Sequence, residues 1–66
     1  MDITVNGEQK ILDGPMTVSG LLKELEIDPE TVVVERNLEI LARGDHEEQN
    51  LAAGDTVEII QLVDGG

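Results

Sequence analysis

Residues 17–25 have the sequence Thr-Val-Ser-Gly-Leu-Leu-Lys-Glu-Leu. Apolar side chains recur in this segment at the spacing i, i+3, i+4 and i+7, which places four of them on one helical face: Val18, Leu21, Leu22 and Leu25. Thr17 is a suitable N-cap, because its hydroxyl can accept a hydrogen bond from the first helical turn. Asp28-Pro29 should stop the helix. We therefore predict a short amphipathic helix over residues 17–26.

Two short strands are predicted before this helix. Ile3, Val5 and Ile11 alternate with polar neighbours on either side of Asn6-Gly7. An Asn-Gly pair between alternating runs is typical of a type I′ hairpin turn. Residues 2–6 and 8–12 are therefore predicted to form an antiparallel pair.

Three further strands are predicted after the helix. Residues 31–35 are rich in β-branched side chains, and Arg36-Asn37 can turn the chain toward a short strand at residues 39–41. Residues 43–50 are polar and charged, which predicts a solvated loop. Residues 56–63 form the longest predicted strand.

This order of elements predicts an α+β domain. One helix can cover only one face of a sheet, so we expect a mixed sheet of four to five strands with the helix packed on one face. The ubiquitin-like β-grasp is the architecture that fits this order. We expect residues 1–66 to form a single domain with a flexible tail at residues 64–66.

The strand sequences do not alternate as a sheet with one covered face requires. Val32-Val33-Val34 and Ile59-Ile60 are apolar at consecutive positions. Either a bulge resets the alternation, or apolar side chains such as Ile60 and Leu62 emerge on the uncovered face. An exposed apolar patch beside a tail would mark a protein-docking surface, and our candidates for it are Ile60, Leu62 and Val63.

Composition narrows the possible partners. The 66 residues include 15 Asp and Glu but only 4 Lys and Arg, a formal charge of -11, which disfavours nucleic acids and anionic membranes and favours a basic protein partner. The sequence contains no Phe, Tyr, Trp or Cys, so it lacks stacking platforms, disulfides and thiol nucleophiles. We expect a soluble, cytoplasmic protein that is monomeric when free.

The sequence ends on Gly65-Gly66, directly after the last predicted strand and Asp64. Two residues without a Cβ can thread a channel that is too narrow for side chains. The carboxylate of Gly66 is unhindered and could be activated by another enzyme, with Gly65 and Asp64 threading behind it. The alternative is a frayed end or a point of truncation, since chain termini are commonly disordered.

The sequence resembles the ThiS family of sulfur carriers, which belongs to the β-grasp group together with MoaD and ubiquitin. The residues that carry this resemblance extend over the whole chain: Asn6-Gly7, Thr17-Val18, Leu21-Leu22, Leu25, Val34-Glu35-Arg36-Asn37, Ile40, Arg43, Leu51, Gly54-Asp55, Val57-Glu58-Ile59-Ile60 and Gly65-Gly66. His46 departs from the family pattern, which often has an aromatic residue there.

The resemblance implies that Gly66 is adenylated by a ThiF-like enzyme and converted to a thiocarboxylate by a sulfur donor protein. The sulfur would then pass to a ThiG-like thiazole synthase in thiamin biosynthesis. ATP and magnesium would belong to the activating enzyme, so we expect no bound cofactor and no catalysis by this chain, which acts as a protein co-substrate. The alternatives are a MoaD-like carrier for molybdopterin or another sulfur-containing product, a ubiquitin-like modifier of lysines, and an interaction domain with an unreactive tail.

The remaining charged residues have simpler explanations. His46 lies among acidic neighbours in the predicted loop, where a solvated side chain is expected and no metal site is predicted. Arg43 is expected to pair with an acidic neighbour and stabilise the same loop. A row of carboxylates could form an acidic docking face, but solvation is the simpler expectation for Glu24, Glu26, Asp28 and Glu30.

Overall fold

A computed structural model describes residues 1–62, so the predictions made for Val63, Asp64, Gly65 and Gly66 lie outside the described residues. Within these residues, five strands and one α-helix follow one another in this order: β1 (Asp2–Val5), β2 (Glu8–Ile11), α1 (Val18–Glu24), β3 (Val32–Arg36), β4 (Glu39–Leu41) and β5 (Thr56–Gln61). Two 3₁₀ turns lie between them, at Pro29–Thr31 and Arg43–Asp45.

The five strands form one mixed sheet in the order β2-β1-β5-β3-β4. β1 pairs with β5 in parallel, and the other neighbouring strands are antiparallel. α1 packs on one face of this sheet, and its buried side chains meet those of the strands in a core that includes Val18, Leu21, Leu22, Ile3, Val34 and Val57. The predicted combination of one helix and a mixed sheet is confirmed.

Two tight turns join the antiparallel hairpins. Asn6 and Gly7 have φ values of 49° and 83°, the two positive values of a type I′ turn, which confirms the first predicted hairpin. The second turn uses Asn37 and Leu38, with φ values of 52° and 72°, one residue later than predicted. Arg36 remains in β3 because it pairs with Glu39 across the hairpin.

The helix is shorter than the predicted range 17–26, although its N-cap is confirmed. The Thr17 hydroxyl accepts a hydrogen bond of 3.0 Å from the Gly20 amide. At the other end, Glu26 has a φ of 59°, and the amide of Ile27 donates to the Leu22 carbonyl at 2.9 Å. This is a Schellman motif built without glycine, so the helix ends before Asp28-Pro29.

Within residues 1–62, no helix is long and apolar enough to cross a bilayer.

The sheet contains no bulge between β3 and β5. The register is continuous from Val32↔Gln61 to Arg36↔Val57. Val34 is buried on the helix side, while its neighbour Val33 pairs with Ile60 on the uncovered side. The bulge alternative is therefore wrong, and the consecutive apolar residues place side chains on both faces.

Candidate functional site

Four apolar side chains lie together on the uncovered face of the sheet; we call Val33, Ile40, Ile60 and Leu62 the outer patch. Val33 pairs with Ile60, and Ile40 lies opposite Glu35, two residues along β3 from Val33. The exposed fractions are 70% for Ile40, 45% for Ile60 and 59% for Leu62. Their exposure is as predicted for Ile60 and Leu62, whereas Val63 lies outside the described residues.

Sequence reasoning did not place Ile40 in this surface. Its position follows from the pairing of β4 with β3, which brings Ile40 to the same face as Val33. The period-2 alternation of a strand could have identified it, since Glu39 and Leu41 flank it on the opposite face.

Two carboxylates lie beside the outer patch on the same face. Glu35 of β3 and Glu58 of β5 are directly opposite each other in the antiparallel register. Like charges at opposed positions destabilise a strand pair. Neither carboxylate has an ion-pair partner among residues 1–62. The surface thus combines apolar side chains with a pair of negative charges that a cationic side chain could neutralise.

A hydrogen-bonded network fixes the start of β5. Asp55, which is 6% exposed, accepts hydrogen bonds from Arg36 Nε at 2.8 Å, Asn37 Nδ2 at 3.1 Å and the Ala52 amide at 2.8 Å. Arg36 also donates to Gln49 Oε1 at 3.1 Å. Burial by itself raises the pKa of the Asp55 carboxyl, but these hydrogen bonds and the charge of Arg36 outweigh it and hold the pKa below its usual value.

The side chain of Asn6 extends the pairing between β1 and β5. Its Oδ1 accepts a hydrogen bond of 2.7 Å from the Ile59 amide, and its Nδ2 donates to the Ile59 carbonyl at 3.3 Å. Asn6 therefore takes the place of one more strand residue and holds β5 near the end that leads to residues 63–66. The sequence indicated a turn at Asn6, but no local pattern revealed this contact.

His46 is buried, so the prediction of a solvated side chain is wrong. It is 4% exposed, and neither ring nitrogen has a hydrogen-bond partner among residues 1–62. The predicted loop over residues 43–50 folds back on the start of α1, where the His46 carbonyl accepts from the Ser19 amide and the Gln49 carbonyl accepts from the Val18 amide, both at 3.0 Å. The free amides of a helix N-terminus require such acceptors, and that requirement could have predicted the contact.

No metal site is visible in the described part of the chain. Residues 1–62 contain no group of three or more His, Cys, Asp or Glu side chains arranged to hold an ion. No polar group of residues 1–62 hydrogen-bonds to the His46 ring, whereas a metal-ligating histidine almost always donates its second ring N–H to a polar partner.

Arg43 contacts the main chain of the turn that precedes β3. Its Nη2 donates to the Glu30 carbonyl oxygen at 3.4 Å, so it contacts the Pro29–Thr31 turn rather than an acidic side chain.

Two carboxylates of the predicted acidic face, Glu24 and Asp28, make contacts within the fold. Glu24 lies 3.5 Å from Lys10 Nζ, and Asp28 caps the 3₁₀ turn by accepting from the Glu30 amide at 2.9 Å.

Two curated relatives are named thiazole synthase. The protein from Paramagnetospirillum magneticum is 39% identical over 66 residues, covering 100% of this chain but 20% of that protein. The one from Magnetococcus marinus is 36% identical over 66 residues, with the same coverage of 100% and 20%. The chain therefore spans about a fifth of the length of these two relatives.

Smaller relatives match along most of their own length. The sulfur carrier protein ThiS of Bacillus subtilis is 36% identical over 50 residues, which is 76% of each chain. The crystal structure of the thiamine biosynthesis protein ThiS from Geobacter metallireducens superposes with a TM-score of 0.86 at 36% identity, covering 100% of both chains. The model of the ThiS family matches residues 3–66. The chain therefore belongs to the ThiS family and has its ubiquitin-like β-grasp fold.

Proposed function

We propose that this chain carries sulfur as a thiocarboxylate on Gly66 and delivers it for synthesis of the thiazole of thiamin. The observation that carries the proposal is the ThiS family match over residues 3–66, which includes the final two glycines. The Bacillus subtilis relative is named a sulfur carrier protein, and the two longer relatives are named thiazole synthases. These names favour a thiazole product over molybdopterin.

The chemistry begins at the carboxylate of Gly66, which is a poor electrophile. In a ThiF-like enzyme, one carboxylate oxygen attacks the α-phosphorus of ATP, pyrophosphate leaves, and an acyl adenylate forms. Sulfide supplied by a donor protein then attacks the carbonyl carbon, and AMP leaves with the electron pair of the cleaved C–O bond. ATP and magnesium are held by the activating enzyme in this scheme, and the chain is a co-substrate rather than a catalyst.

The scaffold contributes position. β5 lies between β1 and β3 in the sheet, and Asn6 and the Asp55 network hold it near its two ends. The strand that precedes the C-terminal segment is therefore held within the sheet by contacts near both of its ends. Holding a reacting group in place lowers the entropic cost of reaction in a partner's active site.

The outer patch is the docking surface in this proposal. Its apolar side chains adjoin the opposed carboxylates of Glu35 and Glu58, so the partner surface should be apolar with at least one Lys or Arg. A pair of carboxylates without a cation destabilises the free chain slightly, and a partner cation relieves this repulsion on binding.

Intact mass measurement tests the proposed function. The chain is incubated with ATP, magnesium, a ThiF-like enzyme and a sulfide donor, and we expect the mass gain of one oxygen-to-sulfur exchange. A chain shortened to residues 1–64 is the control and should gain nothing. An unchanged mass for the full chain would contradict the proposal.

A ubiquitin-like modifier would behave differently in cells. Immunoblots of extracts should show a single free band for a carrier and a ladder of conjugates for a modifier. A ladder that disappears when Gly66 is removed would assign the chain to protein modification instead.

A further inference from the structure

β5 extends beyond the strand that pairs with one of its edges. The last β1 partner in the register is Val5, opposite Val57, whereas β5 continues to Gln61. The Asn6 side chain supplies one further pair of hydrogen bonds, at Ile59. No strand of residues 1–62 covers this edge beyond Ile59.

The main chain of Gln61 points toward this uncovered edge. On the opposite edge, the Leu62 amide donates to the Thr31 carbonyl at 2.9 Å, so Leu62 directs its peptide groups toward the β3 side. Adjacent residues of a strand direct their peptide groups to opposite edges. The N–H and C=O of Gln61 therefore face the side where β1 has ended, and no hydrogen bond to them is formed within residues 1–62.

A cleft of about 330 Å³ opens at the same place. It lies between the end of β5 and the segment that follows α1, and its lining includes Asn6, Glu26, Ile27, Asp28, Ile59 and Gln61. Ile27 and Ile59 are partly buried against the core and give the cleft an apolar side. The carboxylates of Glu26 and Asp28 make the rim of the cleft negatively charged.

We propose that this edge accepts an extended, basic segment of the ThiF-like adenylating enzyme, which adds to the sheet next to Gln61 as a strand collinear with β1. Peptide groups without a partner at a strand edge are satisfied by another strand, which is the chemistry of β-addition. The rim carboxylates of Glu26 and Asp28 and the chain's formal charge of -11 select Lys or Arg side chains in that segment. A second copy of the chain carries the same negative charge and is disfavoured.

This inference rests on the proposed function and adds a second contact to it, separate from the outer patch. Strand addition fixes the main chain at Gln61, five residues before the carboxylate that reacts. Fewer residues are then left to be ordered when the adenylate forms, which lowers the entropic cost of placing the Gly66 carboxylate in the enzyme's active site. The added strand therefore orients the C-terminal segment toward the active site of the ThiF-like enzyme.

Gln61→Pro tests the inference directly. Proline removes the amide hydrogen that faces the open edge and leaves the β3–β5 hydrogen bonds, which use the alternate residues, in place. Gln61→Ala is the matched control, because it retains the amide hydrogen and loses the side chain. Affinity for the ThiF-like enzyme of the same organism is measured by titration calorimetry, and urea unfolding of each variant is measured in parallel.

We expect the Kd to rise about tenfold for Gln61→Pro and to change less than about twofold for Gln61→Ala. Glu26→Lys should also raise the Kd, with a smaller dependence of affinity on salt than the wild-type chain shows. Wild-type affinity in both Gln61→Pro and Glu26→Lys would overturn the inference. If Gln61→Pro unfolds, Glu26→Lys decides alone, and an unchanged Kd and salt dependence in that variant would reject the basic segment.

Binding and adenylation of the wild-type chain distinguish failure of the strand-addition inference from failure of the proposed sulfur-carrier function. If the chain is adenylated but the variants bind as it does, only the strand addition is wrong. If the wild-type chain neither binds the enzyme nor is adenylated, the proposed function fails and the inference fails with it. Self-association that Gln61→Pro abolishes would assign the edge to a second copy and overturn the assignment to the enzyme.

Discussion

Arg36 Nε donates a hydrogen bond of 2.8 Å to Asp55 Oδ2, and the two side chains are 22% and 8% exposed. Nineteen residues separate this pair in sequence, and it joins the end of β3 to the start of β5. Removal of Arg36 leaves the buried Asp55 carboxylate without a counter-charge, and removal of Asp55 leaves the partly buried guanidinium with only the neutral Gln49 side chain. The cost of such a change is larger than the net contribution of the intact pair.

Asp55→Ala should lower the free energy of unfolding by about 2–3 kcal/mol, because it leaves Arg36 without its partner and the Ala52 amide without its acceptor. Urea unfolding at neutral pH measures the loss. Glu47→Ala, on an exposed residue of the His46 loop, is the control and should change stability little. Equal effects of the two changes would show that the network contributes no stability.

The Asp55 carboxyl makes the stability of the fold depend on pH in the acidic range. The folded pKa of Asp55 is lowered, so its stabilisation is fully present above the unfolded pKa of about 3.9 and is lost as the pH falls through the lower folded pKa. Asp55→Asn should therefore flatten the stability curve below pH ~4. Unfolding in urea at several acidic pH values checks this, and parallel curves for the two proteins would contradict it.

His46→Leu should stabilise the fold by about 1 kcal/mol, because the imidazole is buried and neither nitrogen has a hydrogen-bond partner in the described part of the chain. His46→Asn keeps a polar group, removes volume and should destabilise. Thermal and urea unfolding of both variants provide the measurement. A loss of stability in His46→Leu would mean that the ring nitrogens have a bonding partner in solution.

Leu38→Gly should raise the free energy of unfolding by about 0.5–1 kcal/mol. Leu38 has a φ of 72° and is 88% exposed, so glycine relieves backbone strain and removes few contacts. Leu38→Ala separates the two effects, because alanine retains the Cβ that causes the strain. If alanine stabilises as much as glycine, exposure of the leucine rather than its backbone conformation is responsible.

Ile60→Asp should weaken binding of the ThiF-like and ThiG-like enzymes at least about tenfold with little loss of stability, because Ile60 is 45% exposed within the outer patch. Ile11→Asp is a matched control: Ile11 is 73% exposed on the same face but lies on β2, two strands away. Titration calorimetry and urea unfolding are the two measurements. Equal weakening by both changes would indicate a general effect of negative charge.

Gly66→Ala should leave folding unchanged and block adenylation, because a methyl group would crowd a channel built for a tail without side chains. Release of pyrophosphate measures the adenylation step, and urea unfolding checks the fold. Normal pyrophosphate release by this variant would contradict the threading hypothesis.

The sequence predicts the elements of this fold better than their ends. Asn6-Gly7 has the side chains that a type I′ turn prefers, so its hairpin could be predicted from local chemistry. The helix terminus could not be placed in the same way. Glu26 adopts the left-handed conformation without being glycine, so the residue preference that usually marks a Schellman motif does not identify it.

In the candidate site, too, local sequence patterns predict some features, whereas others depend on tertiary contacts. Exposure of Ile60 and Leu62 was one of two alternatives that the strand pattern allowed, and the continuous β3–β5 register excludes the other, a bulge. The burial of His46 and the contact of Asn6 with Ile59 both depend on segments that meet only after folding. Polarity suggested a solvated position for His46, and tertiary packing overrode it.

The contact between Asn6 and Ile59 spans 53 residues and joins the first hairpin to the last strand. β5 is also the third strand across the sheet although it is the fifth along the chain. A nascent chain therefore cannot complete this sheet until β5 has been synthesised. A polypeptide interrupted before β5 has two separate hairpins and presents no assembled sheet to a partner.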